Sequence, residues 1–112
     1  TQDMPKKMRR AALRSALSIK ANDSEIIVVD ELKLEEPKTR LMANALSLLV
    51  GDNSALILIT DKESSVDVIR ATNNLPYAKI LLANYLNIRD LLRFDRIVIP
   101  VAAIETINSF LG

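Results

Sequence analysis

Five cations stand close together near the start of the sequence: Lys6, Lys7, Arg9, Arg10 and Arg14. On a helix at roughly 100° per residue, Lys7, Arg10 and Arg14 fall into one row, with Lys6 and Arg9 flanking its N-terminal end. Cations spaced one turn apart neutralise successive phosphates, and the arginine fork adds bidentate geometry that lysine lacks. That is the chemistry of a polyanion contact. The row has a second reading, a solvated helix face paired with the acidic residues between positions 23 and 36. A third, an Arg-rich transit peptide or membrane-surface helix, fits less well. Asp3 interrupts the charge, and the helix runs straight into an apolar strand with no spacer.

Two other groups of residues have chemical potential. Asp30 and Glu31 end the first apolar run, and Thr60, Asp61 and Lys62 follow the second. Ligands of an open α/β sheet bind at the carboxyl ends of its strands, so these residues outline an acidic signalling or ligand-binding site. A Mg²⁺-dependent phosphoacceptor would need its aspartate after the third run, where Ala83 and Asn84 stand instead. Helix capping and loop solubility explain the acidic residues without a ligand. The third group is the stretch 71–77, ATNNLPY. Asn73 and Asn74 tolerate left-handed backbone and are expected to end a helix, while Pro76 holds Leu75 extended. Their amides suit phosphates, 2′-hydroxyls or base edges, although a turn alone accounts for them.

Catalytic chemistry has little to work with. The 112 residues contain no Cys and no His, which removes thiolate and imidazole metal ligands, disulfides and histidine acid–base catalysis. Two Gly leave no phosphate-cradling loop, and two Tyr and two Phe, widely scattered, make no stacking platform of the RRM or OB type. The sequence therefore reads as a non-enzyme without a cofactor. The formal net charge is +1, but it is segregated. Residues 1–20 carry six cations against Asp3 and net +5, residues 21–36 net −5, and the remainder nets +1. A chain neutral on average can still turn a strongly basic face to a polyanion.

The elements that position these groups follow from hydrophobic patterning. Apolar runs at 25–30, 55–60, 78–83 and 96–100 are nearly continuous, as in parallel strands covered on both faces. Helical periodicity occupies 4–21, 38–50, 65–73, 87–94 and 101–111. In the first helix, Met8, Ala12, Ala16 and Ile19 read as the inward stripe, with the basic row almost opposite and Leu13 and Leu17 between. In the second, Leu41, Ala45, Leu48 and Leu49 share a side, Pro37 suits the first turn, and Gly51 is expected to end the helix in left-handed backbone. In the last, Ala102, Ile104, Ile107, Phe110 and Leu111 are expected to pack inward. Alternating helices and strands with right-handed crossovers give an α/β fold: a three-layer α/β/α sandwich around a parallel, Rossmann-like four-stranded sheet, in a single domain over 1–112. No apolar stretch approaches the roughly 20 residues of a membrane span. Without an initiator Met, and opening directly into a helix, the sequence reads as a mature or truncated product.

The ordered runs PKKMRRAALRSALSIKA (5–21), IIVVDELKLEEPKT (26–39) and NNLPYAKILLANYLNIRDLLRFDRIVIPVAAIETI (73–107) resemble the universal large-subunit ribosomal protein family L-four, of bacterial type. Each motif is loose, but together they recur in the family's order and spacing over nearly the whole chain. The resemblance implies a structural protein of the large ribosomal subunit that binds large-subunit rRNA, meets neighbouring ribosomal proteins and joins early in assembly. Some family members also bind their own operon's messenger RNA. It further implies that the chain is the C-terminal globular portion of a longer protein, without the N-terminal half and the basic loop that reaches the exit tunnel. Carried onto this sequence, Lys6, Lys7, Arg9 and Arg10 match the family's basic segment, Lys38 and Thr39 its E-P-K-T helix start, and Asn74 its N-L-P turn. Asn73 departs from the family, which often has Arg there.

Overall fold

The computed structural model describes residues 6–30, 38–63 and 65–111, with side chains for 7–30, 38–63 and 65–109. Glu31, Pro37 and the side chains of Lys6, Phe110 and Leu111 lie outside the described residues. Among the described residues, five helices alternate with four strands: α1 (Lys6–Asn22), β1 (Ile26–Val29), α2 (Thr39–Val50), β2 (Ala55–Ile59), α3 (Val66–Thr72), β3 (Ala78–Leu82), α4 (Ile88–Arg93), β4 (Arg96–Pro100) and α5 (Val101–Leu111). A short 3-10 turn, Ala83–Tyr85, joins β3 to the loop before α4.

The sheet is wholly parallel, in the order β1-β4-β2-β3. Ile26 pairs with Ile97, Leu56 with Ile97 and Ala55 with Ala78, so β4 and β2 are central and β1 and β3 are the edges. The chain steps from β1 to β2 to β3 with α2 and α3 on one face. It returns from β3 to β4 with α4 on the other, so the crossovers keep one hand. Continuous apolar runs conceal a period of two. Leu56, Leu58, Ile97 and Ile99 face the layer of α1, α4 and α5. Ala55, Ile57 and Val98 face that of α2 and α3. Every residue of β2 is buried, which a strand with one wet face could not tolerate. The α/β/α sandwich expected from the sequence is thus observed.

Several local expectations change. The buried stripe of α2 is Met42, Leu46 and Val50, with Leu49 partly covered, and Leu48 points outward at 90% exposure. Leu41 to Leu49 and Met42 to Val50 are both acceptable helical stripes. Burying Met42 and Leu46 completely while ending on Val50 against β2 places more apolar volume in the core. In α5 the inward residues are Ala103 and Ile107, with Ile104 partly covered, whereas Ala102 is exposed. Gly51 does take positive φ, but with ψ −129° it is not left-handed helical. Among the described residues nothing would crowd a Cβ at this position, so φ rather than space calls for glycine. Asn73 stays right-handed (φ −54°, ψ −29°), and α3 ends because Leu75 N–H donates to the Thr72 carbonyl at 2.9 Å.

Candidate nucleic-acid interface

The position of α1 follows from its own residues. Leu13 and Ala16 are buried against α4, α5 and the sheet, and Leu17 is partly covered. Lys20, seven residues from Leu13, lies about 20° from it around the helix and is therefore on the buried side. Its Nζ donates to the Phe94 carbonyl at 2.8 Å and pairs with Glu25 Oε2 at 2.8 Å. A tight reversal brings Glu25 into place: Ser24 takes φ 59°, and Glu25 N–H donates back to the Lys20 carbonyl at 2.9 Å. Arg96 Nη1 stands 3.9 Å from the other Glu25 oxygen. One of the six cations of the basic block is therefore a structural clamp between α1, β1 and the start of β4.

This orientation corrects the expected stripe. Met8 and Ile19 are 59% and 60% exposed rather than inward. The face is set by Leu13, Ala16 and Lys20, and the basic row consequently lies beside the buried face, not opposite it. Lys7, Arg9, Arg10 and Arg14 are all exposed. Arg9 and Arg10 precede Leu13 by four and three residues, so they straddle its stripe one turn further out. There they line a groove of about 490 Å³ with Leu13, Asn84, Tyr85, Leu86, Asn87 and Ile88.

The far wall of the groove is built by local hydrogen bonds. Asn87 caps α4: its Oδ1 accepts from Asp90 N–H at 2.9 Å, while its Nδ2 donates to the Tyr85 carbonyl at 3.1 Å and to Asp90 Oδ2 at 3.0 Å. Lys79 Nζ, on β3, reaches Asp90 Oδ1 at 3.1 Å. Burial pushes the Asp90 carboxyl up, but the Asn87 amide, the Lys79 ammonium and the Arg89 charge outweigh it and hold the group below its ordinary value.

The topology sorts the remaining candidates. Strands run toward the ends occupied by Asp30, Thr60, the 3-10 turn and the start of α5, and α1 runs the opposite way. Lys7, Arg9 and Arg10 therefore share the carboxyl edge of the sheet with Tyr85. Lys38 and Thr39, at the start of α2, are on that same edge but in the opposite layer; Lys38 is exposed and Thr39 half-buried. Asn74, exposed between α3 and β3, is at the other edge. Its turn is anchored on either side, with Leu75 N–H donating to the Thr72 carbonyl and Ala55 N–H to the Tyr77 carbonyl, each at 2.9 Å. Asp30 and Asp61 follow strands that β4 separates, and among the described residues no group of three acidic side chains could hold a metal. Sequence spacing did not reveal Asn84 and Tyr85 as neighbours of the basic helix, because some seventy residues separate them along the chain. Burial of Lys20 was missed as well; its seven-residue spacing from Leu13 is a signal only once Leu13 is known to face the core.

A sequence model of the ribosomal protein L4/L1 family matches residues 1–110. The chain belongs to that family. It is 45% identical over 106 residues to the large ribosomal subunit protein uL4 of Thermoanaerobacter sp. (strain X514), covering 95% of this chain and 50% of that protein. The uL4 proteins of Alkaliphilus oremlandii and Moorella thermoacetica are each 42% identical, over 95% and 97% of this chain. The chain spans about half the length of the curated relatives it matches. The L4/L1 family is structural rather than enzymatic.

Proposed function

We propose that this chain is a structural constituent of the large ribosomal subunit and binds large-subunit rRNA through the basic N-terminal part of α1. The observation that carries this reading is the exposure of Lys7, Arg9, Arg10 and Arg14 along one stretch of a helix whose far end is clamped by Lys20. Phosphates that meet this stretch are neutralised by cations on a rigid support, which limits the ordering cost of binding. Lys6 extends the same stretch in sequence, and Lys38 and Thr39 add contacts from the second layer. Asn74, at the opposite edge, would need a separate RNA segment. Family membership supports the ribosomal setting, and with it a place in the cytoplasmic ribosome among neighbouring ribosomal proteins and a contribution to assembly. The chain spans about half the length of its curated relatives, and the proposal concerns only the residues it contains.

The test is equilibrium binding of the chain to large-subunit rRNA, in competition with an unrelated RNA of equal length. The reading expects a preference of at least about tenfold that survives physiological salt, where non-specific phosphate binding weakens steeply. Equal affinity for both RNAs would remove the reading.

A further inference from the structure

We propose that the groove between α1 and the 3-10 turn holds a single unpaired nucleotide, its base against the Tyr85 ring and its phosphate on Arg9 and Arg10. This rests on the RNA reading above and gives it a specific pocket. Three observations converge. The groove, about 490 Å³, falls in the range of roughly 300–1,000 Å³ that encloses small organic ligands. Its rim carries two guanidinium groups, the side chains best shaped for bidentate phosphate contact, while Leu13, Leu86 and Ile88 give it an apolar floor. Tyr85 lines it and is nevertheless 62% exposed, the unusual state of an aromatic ring left uncovered beside cations.

The backbone that carries the ring is held from behind. Asn87 uses its amide on the Tyr85 carbonyl and on α4, which makes it a positioning residue and leaves base-edge recognition to the exposed amide of Asn84. Paired bases inside a duplex present edges but no free face, so stacking on Tyr85 selects a bulge, loop or strand end. A single aromatic is enough for one base, although it makes no extended platform. The scattered Tyr and Phe of this chain are compatible with that and with nothing larger.

Stacking and phosphate contact respond differently to salt, and that separates them. Binding of large-subunit rRNA is measured against salt concentration for the chain and for Tyr85→Ala, Tyr85→Phe and Arg10→Gln, with circular dichroism melting to verify folding. Tyr85→Ala should weaken binding by roughly 5–150-fold, the loss of one base–aromatic stack, without changing the salt slope. Tyr85→Phe keeps the ring face and should bind within about twofold of the parent. Arg10→Gln should flatten the slope by about 0.7–0.9 unit for each phosphate it no longer neutralises. If Tyr85→Ala binds as tightly as the parent, the nucleotide pocket is overturned while rRNA binding stands. If the parent itself shows no preference for large-subunit rRNA, both the pocket and the proposed function fall.

Discussion

Lys20 and Asp90 place charge inside the body, and each keeps it by having its hydrogen-bonding capacity met. Removing the Lys20 ammonium leaves Glu25 and the Phe94 carbonyl facing a methyl group. Lys20→Met should therefore cost about 2–3 kcal/mol in denaturant unfolding, in the range for breaking a mostly buried pair. RNA affinity and its salt slope should stay unchanged, since this cation points inward. The folded-state value of Asp90 is depressed, so its stabilising contribution is complete above the ordinary carboxylate range and disappears as pH falls through the folded value. Asp90→Asn should accordingly lose less stability than the parent on acidification below about pH 4, as measured by melting temperatures across pH. Parallel acid limbs for the two proteins would contradict that. In the sequence Lys20 counts with the basic block, and only the structure turns it inward. Nothing local marked Asp90, whose Lys79 partner comes from a strand edge eleven positions away.

At the scale of elements, strands and helices were readable because each strand is a short apolar run bounded by polar residues and each helix repeats near 3.6. Which stripe of a helix turns inward was not. Met8–Ile19 and Leu13–Lys20 on α1, like Leu41–Leu48 and Met42–Val50 on α2, are neighbouring stripes of similar apolarity. Long-range partners, the Phe94 carbonyl for α1 and the β2 face for α2, decide between them. A pair of alanine variants tests the α2 assignment: Leu46→Ala should cost roughly 2–5 kcal/mol, as a full cavity does, and Leu48→Ala within about 0.5 kcal/mol. Equal losses would return the helix to the other face. For α4, only six residues long, the cap carries much of the order. Asn87→Ala should cost about 1–2 kcal/mol and also weaken RNA binding, because it releases the Tyr85 carbonyl.

Across the whole molecule, the net +1 separates into a basic helix, an acidic connection and a neutral sandwich. The fold sharpens that separation by directing Lys20 inward and leaving Lys7, Arg9, Arg10 and Arg14 outward, with three of them at the carboxyl edge of the sheet. The α/β/α architecture was legible from pattern alone. The candidate site was legible only on its α1 side, because the opposite wall comes from a turn that topology alone brings near. The central claim is that these exposed cations meet rRNA phosphates, and the salt dependence of binding measures it most directly. With Arg10 and Arg14 both changed to Gln, the slope of log affinity against log salt should flatten by about 0.7–0.9 unit for each phosphate left without its cation, with weaker binding at every salt concentration. An unchanged slope and affinity would show that α1 does not face the RNA.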